Sequence, residues 1–139
     1  MVEKTLFIIK PDATEKKKIG AILNMIEDNG FDILDLKMIK MNRAIAEKFY
    51  SEHLGKDYCD RLIDFMISGK SVVAILSKEN AIRDLRKLNG ETDPKDASPG
   101  TLRHAYGENL PRNAVHASDS LESGTREISI LFPEYKDSR

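Results

Sequence analysis

The sequence is poor in cysteine, with Cys59 the single one among 139 residues. A disulfide within the chain is therefore excluded, and a lone thiol favours a reducing compartment, so we expect a cytoplasmic protein. The chain also lacks any apolar run near the roughly 18 residues of a membrane helix. No charged segment followed by an apolar one marks a secretion signal. The histidines are scattered relative to Cys59, which argues against a zinc site.

An excess of charge of either sign is absent as well. The 22 basic and 23 acidic residues give a formal net charge of −1. No overall attraction to nucleic acid or to a membrane follows, so a phosphate-bearing ligand would need a local cluster of cations. What is present is an ordinary globular composition, with 40% hydrophobic and 32% charged residues. The length fits one domain over residues 1–139.

The first elements follow from the hydrophobic pattern. The continuous apolar run Leu6–Ile9 predicts a strand buried on both faces. Asp12 and Glu15 have the spacing of a capping box, and apolar residues follow at helical spacing. Together they predict one helix that ends at Asn29. Lys10 lies between these two elements, at the strand end where ligands of mixed folds often bind.

The later elements are predicted in the same way. Residues 33–41 alternate, and the side with Leu34, Leu36 and Met38 is expected to be better buried. Helices at 43–53 and 58–68, a buried strand at 71–76 and a helix at 79–88 follow. Residues 89–100 then form a long loop rich in turn formers, which is often a sign of function. A short strand at 115–116 and a helix at 119–131 complete the order βαββαβ, and the segment from Phe132 to Arg139 is expected to pack little.

The most informative stretch is Asn113–Ser120, where a short apolar run ends on His116. Small hydroxyl-bearing residues follow, and Asp119 with Glu122 has the spacing of a capping box. The histidine would thus lie just before a helix N-terminus, whose free N–H groups suit an anionic phosphate. An imidazole there could be a nucleophile, a general base, a metal ligand or a packed polar residue, and position alone leaves all four open.

The sequence Asn-Ala-Val-His-Ala-Ser-Asp-Ser at 113–120 resembles the Asn-x-x-His-Gly-Ser-Asp signature of nucleoside diphosphate kinases. Other stretches match the same family in order, namely Ile-Lys-Pro-Asp at 9–12, the loop from Thr92 to Arg103, and Arg-Glu-Ile at 126–128. The likeness runs from about Thr5 to Leu131. It implies an α+β fold, a ferredoxin-like βαββαβ sandwich whose four-stranded antiparallel sheet has helices on one face, with additional helices and the long loop near residues 89–100.

The resemblance also implies an activity. Such enzymes move the γ-phosphate of a nucleoside triphosphate to a diphosphate by a ping-pong mechanism, here through a phosphohistidine at His116. Glu127 would accept the distal imidazole proton, and Tyr50 corresponds to a tyrosine near the histidine. Taken alone, Glu127 would be read as a solvated helix residue and Tyr50 as packing.

The family's nucleotide-binding positions can be carried over residue by residue. Phosphates would be held by arginines and a threonine, sugar hydroxyls by a lysine and an asparagine, and the base between an aromatic ring and an aliphatic side chain. The corresponding residues are Lys10, Tyr58, Arg86, Thr92, Arg103, Leu110 and Asn113. Mg²⁺ would bind together with the nucleotide, and Asp119 would contact it through water. No dedicated set of metal ligands is expected. The implied partners are nucleoside di- and triphosphates and further copies of the chain, as a hexamer or tetramer, with neither membrane nor nucleic acid required.

Two departures from the family pattern stand out. Ala117 replaces the usual glycine after the histidine, so a left-handed backbone at that position would be strained. Tyr58 replaces a more usual phenylalanine, which keeps a stacking face and adds a hydroxyl.

A non-catalytic nucleotide- or RNA-binding module on the same sheet is the alternative. It is disfavoured because the histidine and the cations are retained, and because the aromatic Arg/Lys-Gly-Phe stretch of RNA-recognition sheets is missing.

Overall fold

The computed structural model describes residues 1–136. Four strands form one sheet in the order β2-β3-β1-β4, and every neighbouring pair is antiparallel. The strands are β1 (Val2–Ile9), β2 (Asp32–Ile39), β3 (Ser71–Glu79) and β4 (Val115–Ala117). This arrangement confirms the predicted α+β, ferredoxin-like fold, with the long loop after residue 89 interrupted by a 3₁₀ turn at Pro94–Asp96.

The helices follow the predicted order with shifted ends. They are α1 (Pro11–Glu15), α2 (Ile19–Asp28), α3 (Arg43–Phe49), α4 (Cys59–Met66), α5 (Ala81–Asn89), α6 (Leu102–Tyr106) and α7 (Leu121–Leu131). The single helix expected after Asp12 is divided in two, because Lys17 adopts a left-handed backbone with φ of 62°. Within residues 1–136, no helix has the length and apolar character needed to cross a membrane.

Helices cover both faces of the sheet, so the prediction of helices on one face is wrong. Alternate residues of β1 enter different cores: Phe7 and Ile9 pack with residues of α2 and α5, whereas Leu6 and Ile8 pack with residues of α3, α4 and α7. The burial of β1 on both faces explains its continuous apolar run. Phe132 also belongs to the second core and is only 1% exposed. The prediction that the segment beginning at Phe132 packs little is therefore wrong for this residue. Residues 137–139 of that segment lie outside the described part of the chain.

Strand β2 lies at one edge of the sheet, and the prediction of which of its sides is buried is wrong. The apolar side chains Leu34, Leu36 and Met38 are 42%, 43% and 51% exposed, so the side expected to be buried is the open one. A register shift between Ile33 and Asp35 interrupts the pairing with β3. Each edge strand also leaves backbone hydrogen-bonding groups unpaired, which makes β2 a surface suited to a further strand.

The N-caps of two functional helices differ from the predicted capping boxes. Helix α7 is capped by Ser120, whose side chain accepts a hydrogen bond from the backbone N–H of Ser123, rather than by Asp119. Helix α1 begins at Pro11, and Asp12 lies inside its first turn instead of capping it. Asp12 instead contacts Ala114, far along the chain, whereas Asp119 still interacts with Ser123 in the first turn of α7.

Candidate active site

A cavity of about 880 Å³ lies beside the ends of β1 and β4. It brings together residues from the two ends of the described chain and from the long loop. The predicted site residues that line it are Lys10, Tyr50, Arg86, Thr92, Arg103, Asn113, His116, Asp119 and Glu127. Tyr58 and Leu110 are not among the lining residues and are 43% and 54% exposed.

His116 is oriented by a carboxylate on the neighbouring helix. Its Nε2 lies 3.0 Å from Oε1 of Glu127, which is only 5% exposed. An ionised carboxylate only accepts hydrogen bonds, so this contact keeps the proton on Nε2. The other ring nitrogen, Nδ1, makes no hydrogen bond within residues 1–136 and retains its lone pair. The Phe49 ring packs against the imidazole at an interplanar angle of 68°, with the ring centres 5.1 Å apart.

Ser118 is a site residue that the sequence did not single out. Its hydroxyl donates to Oε1 of Glu127 at 2.8 Å and accepts a hydrogen bond from the backbone N–H of Leu6 at 3.1 Å. The serine is fully buried. Its place in the signature after His116 was the available signal, but its contact with Glu127 depends on how α7 packs against β1.

Lys10 is held as a buried cation, and Arg103 as a half-buried one, in the cavity that contains the histidine. The Lys10 ammonium donates to Oδ1 of Asn113 at 2.8 Å, and burial, with Arg103 nearby, lowers the pKa of Lys10 to about 8. The Arg103 guanidinium donates to the carbonyls of Gly90 and Val115 at 2.9 and 2.8 Å. Burial and the neighbouring Arg86 lower its pKa to about 10. Since desolvation and mutual repulsion disfavour these charges, a bound anion would stabilise them.

The sequence profile described as "Nucleoside diphosphate kinase" matches residues 3–136. The chain belongs to the nucleoside diphosphate kinase family. A relative of that name from Methanocaldococcus jannaschii is 48% identical over 134 residues, covering 96% of each chain. Another, from Salinibacter ruber, is 46% identical and covers 96% of this chain and 94% of its own length. The family and enzyme class predicted from the sequence are thus confirmed.

Solved structures agree with this assignment. The nucleoside diphosphate kinase of Aquifex aeolicus superposes with a TM-score of 0.93 at 41% identity, over 95% of this chain and 96% of that one. The enzyme of Encephalitozoon cuniculi gives a TM-score of 0.91 at 32% identity, over 94% and 88% of the two chains.

The alanine that replaces the family glycine after the histidine does not have the left-handed backbone that would strain it. Ala117 belongs to β4, pairs with Phe7 and has no positive φ. The left-handed residue of this segment is instead Ala114, with φ of 73°. That conformation costs an alanine about 1–2 kcal/mol.

Aromatic rings connect the kinase family's histidine to the rim of the cavity. Tyr50 is packed edge-on between Phe49 and His53, and Nδ1 of His53 lies 2.5 Å from the hydroxyl of Tyr58. His53 lines the cavity, and its contact with the Tyr58 hydroxyl holds that ring in place. The hydroxyl of Tyr50 is buried without a partner in the described residues, and burial, with Glu127 nearby, raises the pKa of Tyr50.

The loop and the start of α7 supply the remaining polar groups. The Asn113 side-chain amide donates to the carbonyl of Thr92 at 3.0 Å and so ties the loop to β4. Hydrogen bonding from Ser123, with the positive charge of Arg86 nearby, lowers the pKa of Asp119. Asp119 is therefore an ionised carboxylate at the cavity wall. Within residues 1–136, no three His, Cys, Asp or Glu side chains are grouped so as to hold a metal ion.

Proposed function

We propose that this chain transfers the γ-phosphate of a nucleoside triphosphate to a nucleoside diphosphate through a phosphohistidine at His116. The observation that carries the proposal is the contact of Nε2 with Glu127, which leaves the Nδ1 lone pair available in a cavity that also contains Lys10 and Arg103. Nδ1 attacks the γ-phosphorus, and the bond from that phosphorus to the bridging oxygen breaks. The diphosphate leaves with the electron pair of that bond.

The second half of the reaction reverses the first. A terminal phosphate oxygen of the acceptor diphosphate attacks the phosphorus on His116, and the P–N bond breaks to return the lone pair to Nδ1. Glu127 retains the proton on Nε2 throughout and stabilises the positive charge that the ring acquires while it carries the phosphoryl group. Ser118 holds Glu127 in place from the other side.

Cations positioned around the histidine would neutralise the transferred group. We assign Arg86, Arg103 and Thr92 to the phosphates, and Lys10 and Asn113 to sugar hydroxyls, with Lys10 also near the transferred phosphate. The buried Nε of Arg103 has no hydrogen-bond partner among the described residues, and no carboxylate is shown in an ion pair with this guanidinium, so its positive charge can act on a bound phosphate. Groups fixed before the substrate binds stabilise transition-state charge without reorganising, which is the main contribution in phosphoryl transfer.

The base would lie at the rim of the cavity. Tyr58 would offer one face for stacking, its ring held by His53, and Leu110 would cover the other side. Both side chains are exposed, as a stacking surface must be before its ligand binds. Tyr50 packs beneath this rim and supports the positions of Phe49 and His53.

Magnesium is assigned to the nucleotide rather than to a protein cage. The ionised Asp119 at the cavity wall fits a contact to it through water, which is how Mg²⁺ usually meets a single carboxylate. When bound, the ion would neutralise phosphate charge. The arginines would orient the phosphates.

We further propose that the chain forms a homo-oligomer, a hexamer or tetramer, in which the open edge of β2 is buried. The exposed row Leu34, Leu36 and Met38 beside unpaired backbone groups supports this contact. Leu36→Lys should therefore lower the mass measured by light scattering, whereas Leu121→Lys, at a residue that is 47% exposed on α7, should leave it unchanged. An unaltered mass for Leu36→Lys would contradict this interface.

A cytoplasmic location is part of the same proposal. The single cysteine, Cys59, is a free thiol that is 2% exposed, as suits a reducing compartment. The domain assignment, one kinase domain over residues 1–139, is likewise proposed.

The deciding experiment is phosphoenzyme formation from ATP labelled at the γ-phosphate. The wild type should acquire an acid-labile label and release it to GDP as labelled GTP. His116→Ala should acquire none, because no other group replaces the imidazole. His104→Ala is the matched control, since His104 is exposed and does not line the cavity. Labelling of His116→Ala at the wild-type level would overturn the proposed function.

A further inference from the structure

Asp12 is a buried carboxylate that does not cap its helix as the sequence pattern predicts and has no role in the proposed reaction. It is 1% exposed, in the first turn of α1. Its Oδ2 accepts a hydrogen bond from the backbone N–H of Ala114 at 3.1 Å, across 102 positions of sequence. Its Oδ1 has no hydrogen-bond partner within the described residues. A carboxylate buried at this cost needs a reason, and the residue that it contacts supplies one.

Ala114 has positive φ, 73°, at the centre of a γ-turn that leads into β4, in which the Val115 N–H donates to the carbonyl of Asn113 at 2.8 Å. Its carbonyl accepts the backbone N–H of Lys10 at 2.8 Å. Its two neighbours hold the cations of the site: Asn113 accepts from the Lys10 ammonium, and the carbonyl of Val115 accepts from Arg103. A change of backbone at Ala114 would therefore move both anchors together.

We propose that Asp12 is a positioning residue, which holds Ala114 in its left-handed conformation and thereby places Asn113, Lys10 and the Arg103 anchor for phosphate binding and transfer. The inference rests on the proposed function. A hydrogen bond to a charged acceptor is strong enough to offset the strain of a left-handed alanine. Without that acceptor, Ala114 is expected to relax towards negative φ, which shifts the carbonyl and amide that flank it.

Asp12 also has an electrostatic effect that the experiment must separate from the backbone effect. Burial raises its pKa, while Lys10, the Ala114 amide and Lys16 act in the opposite direction. The charge of Asp12 in turn raises the pKa of Lys10, whereas burial and the positive charge of Arg103 lower it. At pH 6.5 the wild-type Lys10 is charged, since its pKa is about 8. Asp12→Ala and Asp12→Asn lose the same negative charge beside Lys10, so the difference between these two variants reports on geometry.

The test compares Asp12→Ala, Asp12→Asn, Ala114→Gly and the double variant Asp12→Ala/Ala114→Gly. At pH 6.5, Asp12→Ala should lower kcat/KM for phosphoryl transfer by about 10–100-fold, as loss of orienting contacts does. Asp12→Asn keeps an acceptor oxygen and should stay within about threefold of the wild type. Glycine adopts positive φ without strain, so Ala114→Gly should recover about tenfold or more in the Asp12→Ala background and little in the wild type.

Asp84→Ala is the control for general destabilisation. Asp84 is a partly buried carboxylate in an ion pair with Lys78, outside the site cavity. It should lower the melting temperature without a change in kcat/KM beyond about twofold. If Asp12→Ala alone does not fold, the double variant should fold and transfer phosphate. Failure of the double variant to recover activity, or full activity of Asp12→Ala, overturns the proposal.

A second measurement separates this proposal from the proposed function. Amide hydrogen exchange at Ala114 should be slow in the wild type and Asp12→Asn, and faster in Asp12→Ala, whether or not phosphate is transferred. Absence of transfer by the wild type would refute the proposed function, while equal exchange in all three proteins would refute the role of Asp12.

Discussion

Replacing Glu127 by glutamine changes the charge at the histidine with little change in shape. The wild-type carboxylate accepts at Oε1 from both His116 and Ser118, at 3.0 and 2.8 Å. A glutamine amide oxygen can accept from the same donors, but it carries no charge to stabilise the ring when the phosphoryl group is attached. Hydrogen bonds to charged groups contribute about 1.5–3 kcal/mol and neutral ones about 0.5–1.5 kcal/mol, so the loss is about 1–1.5 kcal/mol. That difference corresponds to a rate about tenfold lower.

The measurement is the single-turnover rate of phosphoenzyme formation, with nucleotide affinity determined separately. Because Glu127 contacts the imidazole and not the assigned phosphate-binding groups, Kd should change by less than about twofold while the transfer rate falls about tenfold. Glu122→Gln is the control, since Glu122 is exposed on the same helix and should change neither quantity. A rise in Kd with an unchanged transfer rate would place Glu127 in the nucleotide site and refute the reasoning.

Three further outcomes are expected. Nucleotide Kd should rise as the pH passes upward through about 8, because Lys10 then loses its positive charge. Lys10→Met should bind weakly at every pH without that inflection, and the same inflection in both proteins would contradict this. ATP, GTP, CTP and UTP should all serve as donors with kcat/KM within about 10–100-fold, since stacking tolerates every base, and Tyr58→Ala should weaken all four; failure of three bases by about a thousandfold would disprove it. Ala117→Gly should lower the free energy of unfolding by about 0.5–1 kcal/mol in denaturant titrations, because glycine in a strand is more flexible than alanine; a gain in stability would mean that Ala117 is strained.

Local sequence patterns were sufficient for the elements whose residues are uniform in character. The run Leu6–Ile9 could be assigned to a strand buried on both faces because no polar residue interrupts it, and its burial agrees. The family motifs located His116, Glu127 and the cations, and the structure brings these into one cavity. Motif order carries this information because residues far apart in sequence occupy fixed places on one fold.

Local patterns failed where a distant contact competes with a local one. Asp12 and Asp119 have capping-box spacing, yet Asp12 instead accepts from Ala114, and Ser120 caps α7. The apolar row of β2 was expected to be buried, whereas Leu36 is 43% exposed, because the described helices pack against the other side chains of this edge strand, such as Ile33 and Ile39. Ser118 was missed since its partners, Leu6 and Glu127, come from two other elements.

The pairing of β1 with β4 has a consequence for synthesis of the chain on the ribosome. Ile8 pairs with His116, and the neighbouring bond from Leu6 to Ser118 spans 112 positions. At about 5–20 residues added per second, synthesis of the chain from β1 to β4 takes on the order of 5–20 s, and one edge of β1 is unpaired during that time. During that interval an apolar strand edge is open to other chains, and contacts of such long range also form slowly. A nascent chain that ends before β4 should therefore need protection from aggregation and should bind no nucleotide.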